Sequence, residues 1–182
     1  ISEDGTAAVL LIGAAEIGQG SDTVLTQMCA ESLGISPDKI RIRSGDSDIS
    51  PIDLGSYSSR VTLMGGHAVS RAANDAIDKM RPYAAAILGC EEEQVRAKDG
   101  KMFADGNEVD TILWEEVARQ FFNENGPLVG TGCYKPPDGL GGDYKGATVG
   151  TSPAYSFGTS VCELDVDMET GKVSVNKFTD YH

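Results

Sequence analysis

The stretch Ala15-Glu16-Ile17-Gly18-Gln19-Gly20-Ser21-Asp22-Thr23 stands where an apolar run, Ala7 to Ile12, passes into a helical pattern from Thr23 to Leu33. A glutamine between two glycines at a strand-to-helix turn suits an anionic ligand. Glycine lets the backbone approach closely, and the first N–H groups of a helix have no partner within it. A tight turn with no ligand accounts for this motif equally well when it is taken alone. The run Ser56-Tyr57-Ser58-Ser59-Arg60 is a second candidate, offering hydroxyls and a guanidinium at the entry to the next helical stretch.

Other chemistry lacks its residues. The two histidines are His67, within a helical pattern, and His182, and no nucleophile elbow or HExxH accompanies them. Neither a phosphate loop nor the GxGxxG of a dinucleotide fold is present. The acidic loop Gly45 to Gly55 has no glycine at its sixth position and Tyr57 at its twelfth, which excludes an EF-hand. Cys29, Cys90, Cys133 and Cys162 are widely spaced with no CxxC pair, so no zinc site or iron–sulfur cluster forms locally. They are expected to be buried, reduced thiols of a cytoplasmic protein. No metal ligand and no catalytic residue is assigned. The net charge of −13, from 15 basic and 28 acidic residues, argues against nucleic-acid binding. No apolar run has the length of a membrane span. The chain opens on Ile1 without a leader, and an excised piece of something longer is expected.

The elements that must position these residues are mixed. Thr6 to Ile12 predicts a buried strand without polar alternation. Ser21 or Asp22 caps a helix to Leu33, with Val24, Met28 and Cys29 inside and Gly34 closing it. Lys39 to Ser44 alternates as a strand. Ser59 to Met80 predicts a helix with Val61, Met64, Ala68, Ala72, Ala76 and Met80 on one stripe. Its Gly65-Gly66 pair, costing about 2 kcal/mol against alanine, implies close packing on another backbone. Tyr83 to Leu88 prolongs it and Gly89 ends it. Val95 to Ala104 is a hairpin about Asp99-Gly100. Asp110 or Thr111 caps a helix to Phe122 with Leu113, Trp114, Val117 and Phe121 in the core. Leu128 to Tyr134 is a further strand, and Lys135 to Pro153 a mobile or ligand-gating loop. Ala154 to Asp167 and Lys172 to Phe178 form a half-exposed hairpin, with Cys162, Leu164, Val166 and Met168 on one face. Helices and hairpins without regular βαβ alternation define an α+β class.

Taken in order, Glu16-Ile17-Gly18-Gln19-Gly20-Ser21-Asp22-Thr23, Gln27, Ala30 to Ile35, Gly45-Asp46-Ser47, Pro51, Ser56 to Thr62 and Gly66-His67-Ala68-Val69 resemble one known pattern. Gly130 to Tyr134, Tyr155 to Gly158 and the acidic strand ending at Asp167 continue it. The pattern is the second cofactor-binding segment of the molybdenum hydroxylases, the xanthine dehydrogenase and aldehyde oxidase family. Gly55 to Thr62 is similar to the large subunit of 4-hydroxybenzoyl-CoA reductases within it.

The resemblance implies that residues 1–182 are a fragment of the molybdenum cofactor-binding domain of a larger subunit. It implies a molybdopterin carrying molybdenum, usually in the cytosine dinucleotide form in bacteria. Ile17, Gly18, Gln19 and Gly20 would line the pterin. Ser56, Ser58 and Ser59 would offer hydroxyls and helix-start N–H groups, and Tyr57 would face the substrate funnel. Arg60 is open between a buried ion pair and a cofactor contact. Iron–sulfur clusters, and FAD where present, would sit on partner subunits or domains, and the base glutamate downstream, so the isolated segment is expected to be inactive. The implied activity is reductive dehydroxylation of 4-hydroxybenzoyl-CoA to benzoyl-CoA. The alternative within the family is hydroxylation of a purine, nicotinate or aldehyde. The alternative of another class is a non-enzymatic interaction module with an acidic docking face.

Overall fold

Alternation decides the first strand. In β1 (Ala8–Ile12) Ala8, Leu10 and Ile12 are buried, while Val9 and Leu11 are 57% and 44% exposed. A run that reads as wholly apolar is therefore one-sided. The computed structural model describes residues 1–136 and 157–181, in two units, Ile1–Lys135 and Pro136–His182, each taken by itself below. β1 pairs in parallel with β2 (Ile40–Ser44), placing Leu10 opposite Ile42 and Leu11 opposite Arg43. Helix α1 (Ser21–Leu33) joins them, so the α+β chain contains one βαβ unit. Leu25, Cys29 and Leu33 form its inner face, and Val24 and Met28 are only half-buried. Gly34, at φ 72°, closes the helix as expected.

A π-helical turn, Val61–Gly65, leads into α2 (Gly66–Leu88). The buried face of α2 is Val69, Ala73, Ala76, Ile77, Met80 and Ala84, one residue out of step with the expected stripe at Ala68 and Ala72. A Cβ on Gly66 would lie 2.5 Å from Met28 Cε, so this glycine admits a side chain of α1 rather than a backbone.

Strands β3 (Val95–Lys98), β4 (Lys101–Ala104) and β5 (Asn107–Leu113) form an antiparallel meander. Asp99 and Gly100, at φ 51° and 74°, make the expected first turn. β5 takes residues that read as the start of a helix, so α3 (Trp114–Asn125) begins later than Asp110. Trp114 and Val117 enter the core, Phe121 meets Tyr83 edge to face at 5.7 Å, and Leu113 stays outside at 43% exposure.

Residues 128–134 are extended but belong to no sheet, contrary to the expected strand. They are fastened along α2. Lys79 Nζ donates to Val129 O at 2.7 Å, Thr131 N–H donates to Asp75 Oδ2 at 2.8 Å, and Arg71 Nη1 donates to Cys133 O at 2.6 Å. A Cβ on Gly130 would fall 2.0 Å from Ala72 O, and one on Gly132 2.3 Å from Ala68 O. The backbone approach assigned to Gly65-Gly66 occurs here.

In the second unit β6 (Thr159–Val166) pairs antiparallel with β7 (Val173–Tyr181), with Cys162 opposite Phe178 and Leu164 opposite Val175. Both faces are exposed, whereas one was expected to be covered. In the expected gating loop, residues 137–153 lie outside the described residues.

Among the described residues no helix is long and apolar enough to cross a membrane, and no cluster of three His, Cys, Asp or Glu could hold a metal ion. The thiols depart from expectation. Only Cys29 is buried, Cys90 is half-buried, and Cys133 and Cys162 are exposed. Burial pushes the Cys29 thiol up to about 11. Iodoacetamide at pH 8 should therefore alkylate Cys133 and Cys162 readily and leave Cys29 intact until the chain unfolds. Peptide mass spectrometry would check this, and early labelling of Cys29 would contradict its burial.

Candidate cofactor site

Both candidate stretches follow the carboxyl ends of parallel strands, where βαβ units place their ligands. The Gly-Gln-Gly turn leaves β1 directly, and the long loop after β2 returns to it. A Cβ on Gly13 would lie 2.1 Å from Pro51 O, so a glycine there lets the loop close on the end of β1. The Ala15 carbonyl is the junction. It accepts the Ser56 hydroxyl at 2.6 Å and the Gln19 amide Nε2 at 3.2 Å. The structure thus brings together Ile17, Gly18, Gln19 and Gly20 with Ser56.

Glu16, unassigned from the sequence, organises the turn. Its Oε1 accepts the N–H groups of Gly18 and Gly20 at 2.7 and 3.1 Å. Its Oε2 accepts the Asp22 N–H at 3.0 Å and the Ser21 hydroxyl at 3.3 Å. The bond from Asp22 N–H is the largest influence holding this carboxyl below its ordinary range. Residue Gly20, at φ 78°, precedes the helix and no side chain of Ser21 or Asp22 caps it. The anion at the start of α1 is therefore the chain's own carboxylate. This corrects the expectation that these N–H groups are free for a ligand.

Gln19 is folded back on the same turn. Its Oε1 accepts Ile17 N–H at 2.6 Å and its Nε2 also donates to Ser21 Oγ at 3.0 Å. Both amide hydrogens are used, and lone-pair capacity on Oε1 remains. Gly18 and Gly20 have open space where a Cβ would stand, and Ile17 is 69% exposed. The turn is open to close approach at its glycines, while the N–H groups of Ile17, Gly18 and Gly20 are engaged by Gln19 and Glu16.

The second stretch is held by an ion pair. Arg60 Nη1 donates to Asp53 Oδ1 at 2.7 Å and to Gly55 O at 2.8 Å, and Gly55 N–H donates to the same Oδ1 at 2.8 Å. Arg60 is thus a structural partner of Asp53. Burial would raise the Asp53 carboxyl, but the hydrogen bonds from Arg60 and Gly55 outweigh it and hold the group below its usual range. The guanidinium lies 5.8 Å from the centre of the exposed Tyr57 ring. Ser58 and Ser59 have φ of 57° and 51°. Two consecutive left-handed serines cost about 1 kcal/mol or more each. They lie ahead of the helical turn, whose preceding residue is Arg60, so they offer exposed hydroxyls and N–H groups but do not cap it. Strain of this kind beside a π-helical turn commonly accompanies a binding site.

The residues present fit a polar heterocyclic cofactor with several donors and acceptors. Open space beside Gly18 and Gly20, the remaining lone-pair capacity of Gln19 Oε1, the exposed hydroxyls of Ser58 and Ser59, and the buried Asp22 Oδ1, without a hydrogen-bond partner among the described residues, meet that chemistry. The chain matches the molybdopterin cofactor-binding domain over residues 1–182 and belongs to that family. It is similar to the probable hypoxanthine oxidase XdhD of Escherichia coli (strain K12), at 32% identity over 182 residues, covering 98% of this chain and 17% of that protein. It is similar also to the putative xanthine dehydrogenase molybdenum-binding subunit XdhA of that strain, at 30% identity, covering 100% of this chain and 23% of that one. Among solved structures, reconstituted CO dehydrogenase from Oligotropha carboxidovorans superposes with a TM-score of 0.69 at 28% identity, covering 92% of this chain and 20% of that chain. The mixed helices and small sheets match that structure. The chain spans about a fifth of the length of these relatives.

Proposed function

We propose that residues 1–182 are part of the molybdenum cofactor-binding domain of a larger oxidoreductase subunit, and that the joined turns hold the pterin. The observation that carries this reading is the junction at Ala15 O, which joins the Gln19 turn to Ser56, two residues ahead of the strained Ser58. Ile17, Gly18, Gln19 and Gly20 would line the pterin. Ser56, Ser58 and Ser59 would offer hydroxyls and N–H groups to its polar periphery, here in the cytosine dinucleotide form. When bound, the cofactor would supply two-electron redox exchange with the substrate. Glu16 keeps the turn folded, and Tyr57 shapes the approach for substrate. Iron–sulfur and flavin partners would carry electrons away from or toward it, in the cytoplasm.

Replacing Gln19 with alanine in the full-length subunit, within its complex, should lower bound molybdenum and pterin at least about tenfold. Wild-type content of both would remove this assignment, and a parent complex without molybdenum would favour the interaction module.

Two substrate readings divide the family. Tyr57 in Gly55-Ser56-Tyr57-Ser58-Ser59-Arg60 supports reductive dehydroxylation of 4-hydroxybenzoyl-CoA. The xanthine and hypoxanthine enzymes among the relatives support hydroxylation of a heteroaromatic ring. Assaying the intact complex with 4-hydroxybenzoyl-CoA and a one-electron donor, and in parallel with hypoxanthine, separates them by which substrate turns over.

A further inference from the structure

Two extended segments face each other across an apolar groove. Among the described residues β1 pairs only with β2, so its other edge carries N–H and C=O groups without strand partners. Opposite runs Leu128–Gly130, extended and in no sheet, although its sequence has a strand's pattern. Leu128 O accepts the amino group of Ile1 at 3.0 Å, and Gly130 makes no backbone hydrogen bond among the described residues. The polar anchors to α2 engage the alternate residues Val129, Thr131 and Cys133. Between the two segments lies a cavity of about 300 Å³ whose floor includes Cys29 of α1 and Ala72, Ala73 and Ala76 of α2. A two-stranded parallel sheet is itself unusual, because parallel strands are normally flanked and covered.

We propose that a β-strand from elsewhere in the longer subunit inserts between β1 and Leu128–Gly130. It pairs with the free edge of β1 and sets apolar side chains at alternate positions on the alanine floor. An unpaired strand edge recognises another extended backbone, and a floor of small residues leaves room for bulky aliphatic side chains. β1 offers about 17 Å of edge at about 3.3 Å per residue, enough for one short strand. The relatives are several times longer than this chain and so contain sequence to supply it. The inference rests on the reading that residues 1–182 belong to such a subunit, and is independent of its substrate.

Residue-resolved hydrogen exchange on the intact subunit in its complex tests it. Every amide of β1 should exchange at least about 100-fold more slowly than in a free peptide. Free-peptide rates at the alternate amides that point away from β2 would overturn the proposal. A photo-crosslinking p-benzoylphenylalanine at Val129, which is 59% exposed, identifies the occupant. Crosslinks to one alternating apolar stretch of the same subunit outside residues 1–182 are expected. Crosslinks only to residues 137–156, only to a second copy, or to nothing would overturn it. Molybdenum measured on the same samples reports on the cofactor reading separately, so the two can fail independently.

Discussion

Gly130→Ala should lower the unfolding free energy of the first unit by about 3 kcal/mol, one of the two largest effects expected from a single substitution here. The added Cβ would lie 2.0 Å from Ala72 O and 3.0 Å from Ala76 Cβ. Ala72 O belongs to the middle of α2, where a helix cannot yield without losing its own hydrogen bonds. The extended segment must lift instead. Lifting it strains the bonds from Lys79 to Val129 O and from Thr131 N–H to Asp75, and overpacking of this kind costs about 1 to 3 kcal/mol before those losses. Gly66→Ala is the control. Its Cβ would meet only the flexible tip of Met28, while a helical alanine gains up to about 1 kcal/mol over glycine, so the net change should be near zero. Urea midpoints at equal m-values decide the matter. A Gly130→Ala chain that unfolds with the parent would mean that the segment does not lie on α2.

The contrast between these glycines separates what local sequence encodes from what only tertiary contact decides. Gly34 and the Asp99-Gly100 turn were legible because each sits at a boundary where positive φ is needed locally. Gly130 and Gly132 were not, since the backbone they approach is some sixty residues away in sequence. The expected stripe on α2 ran from Val61 and Met64 to Ala68 and Ala72, but the π-helical turn at Val61–Gly65 changes the phase. The face therefore continues through Val69, Ala73 and Ala76. β5 is hidden in the sequence because Asp105-Gly106, with Gly106 at φ 80°, is a second hairpin signal that competes with the helix start at Asp110. At the site the two polar stretches were readable as candidates, yet their junction is a main-chain carbonyl, which leaves no mark in the sequence. Glu16 reaches Asp22 N–H, six residues on, only because Gly18 and Gly20 both adopt positive φ.

Asp53→Ala should cost about 2 to 3 kcal/mol, because it leaves the Arg60 guanidinium, itself largely buried, with one acceptor fewer and no counter-charge. Asp53→Asn keeps an acceptor for Gly55 N–H and should cost about 1 kcal/mol. The acid dependence has a definite sign. The folded Asp53 carboxyl lies below its ordinary value, so its contribution is complete above about pH 4 and is lost as pH falls through the folded value. Glu16 and Asp75 are lowered too and add acid lability in the same direction. The gap in melting temperature between the parent and Asp53→Asn should therefore be widest near neutral pH and narrow as pH falls below about 4. A gap that stays constant over that range would show that the charge of Asp53 does not hold the loop. If it does hold it, losing the pair also loosens the Gly55 turn, closed by Asp53 and Arg60, that carries Ser56 to Ala15 O and leads into the left-handed Ser58 and Ser59. In the full-length complex Asp53→Ala should then lose molybdenum as well as stability, whereas Gly130→Ala, remote from that turn, should lose stability alone.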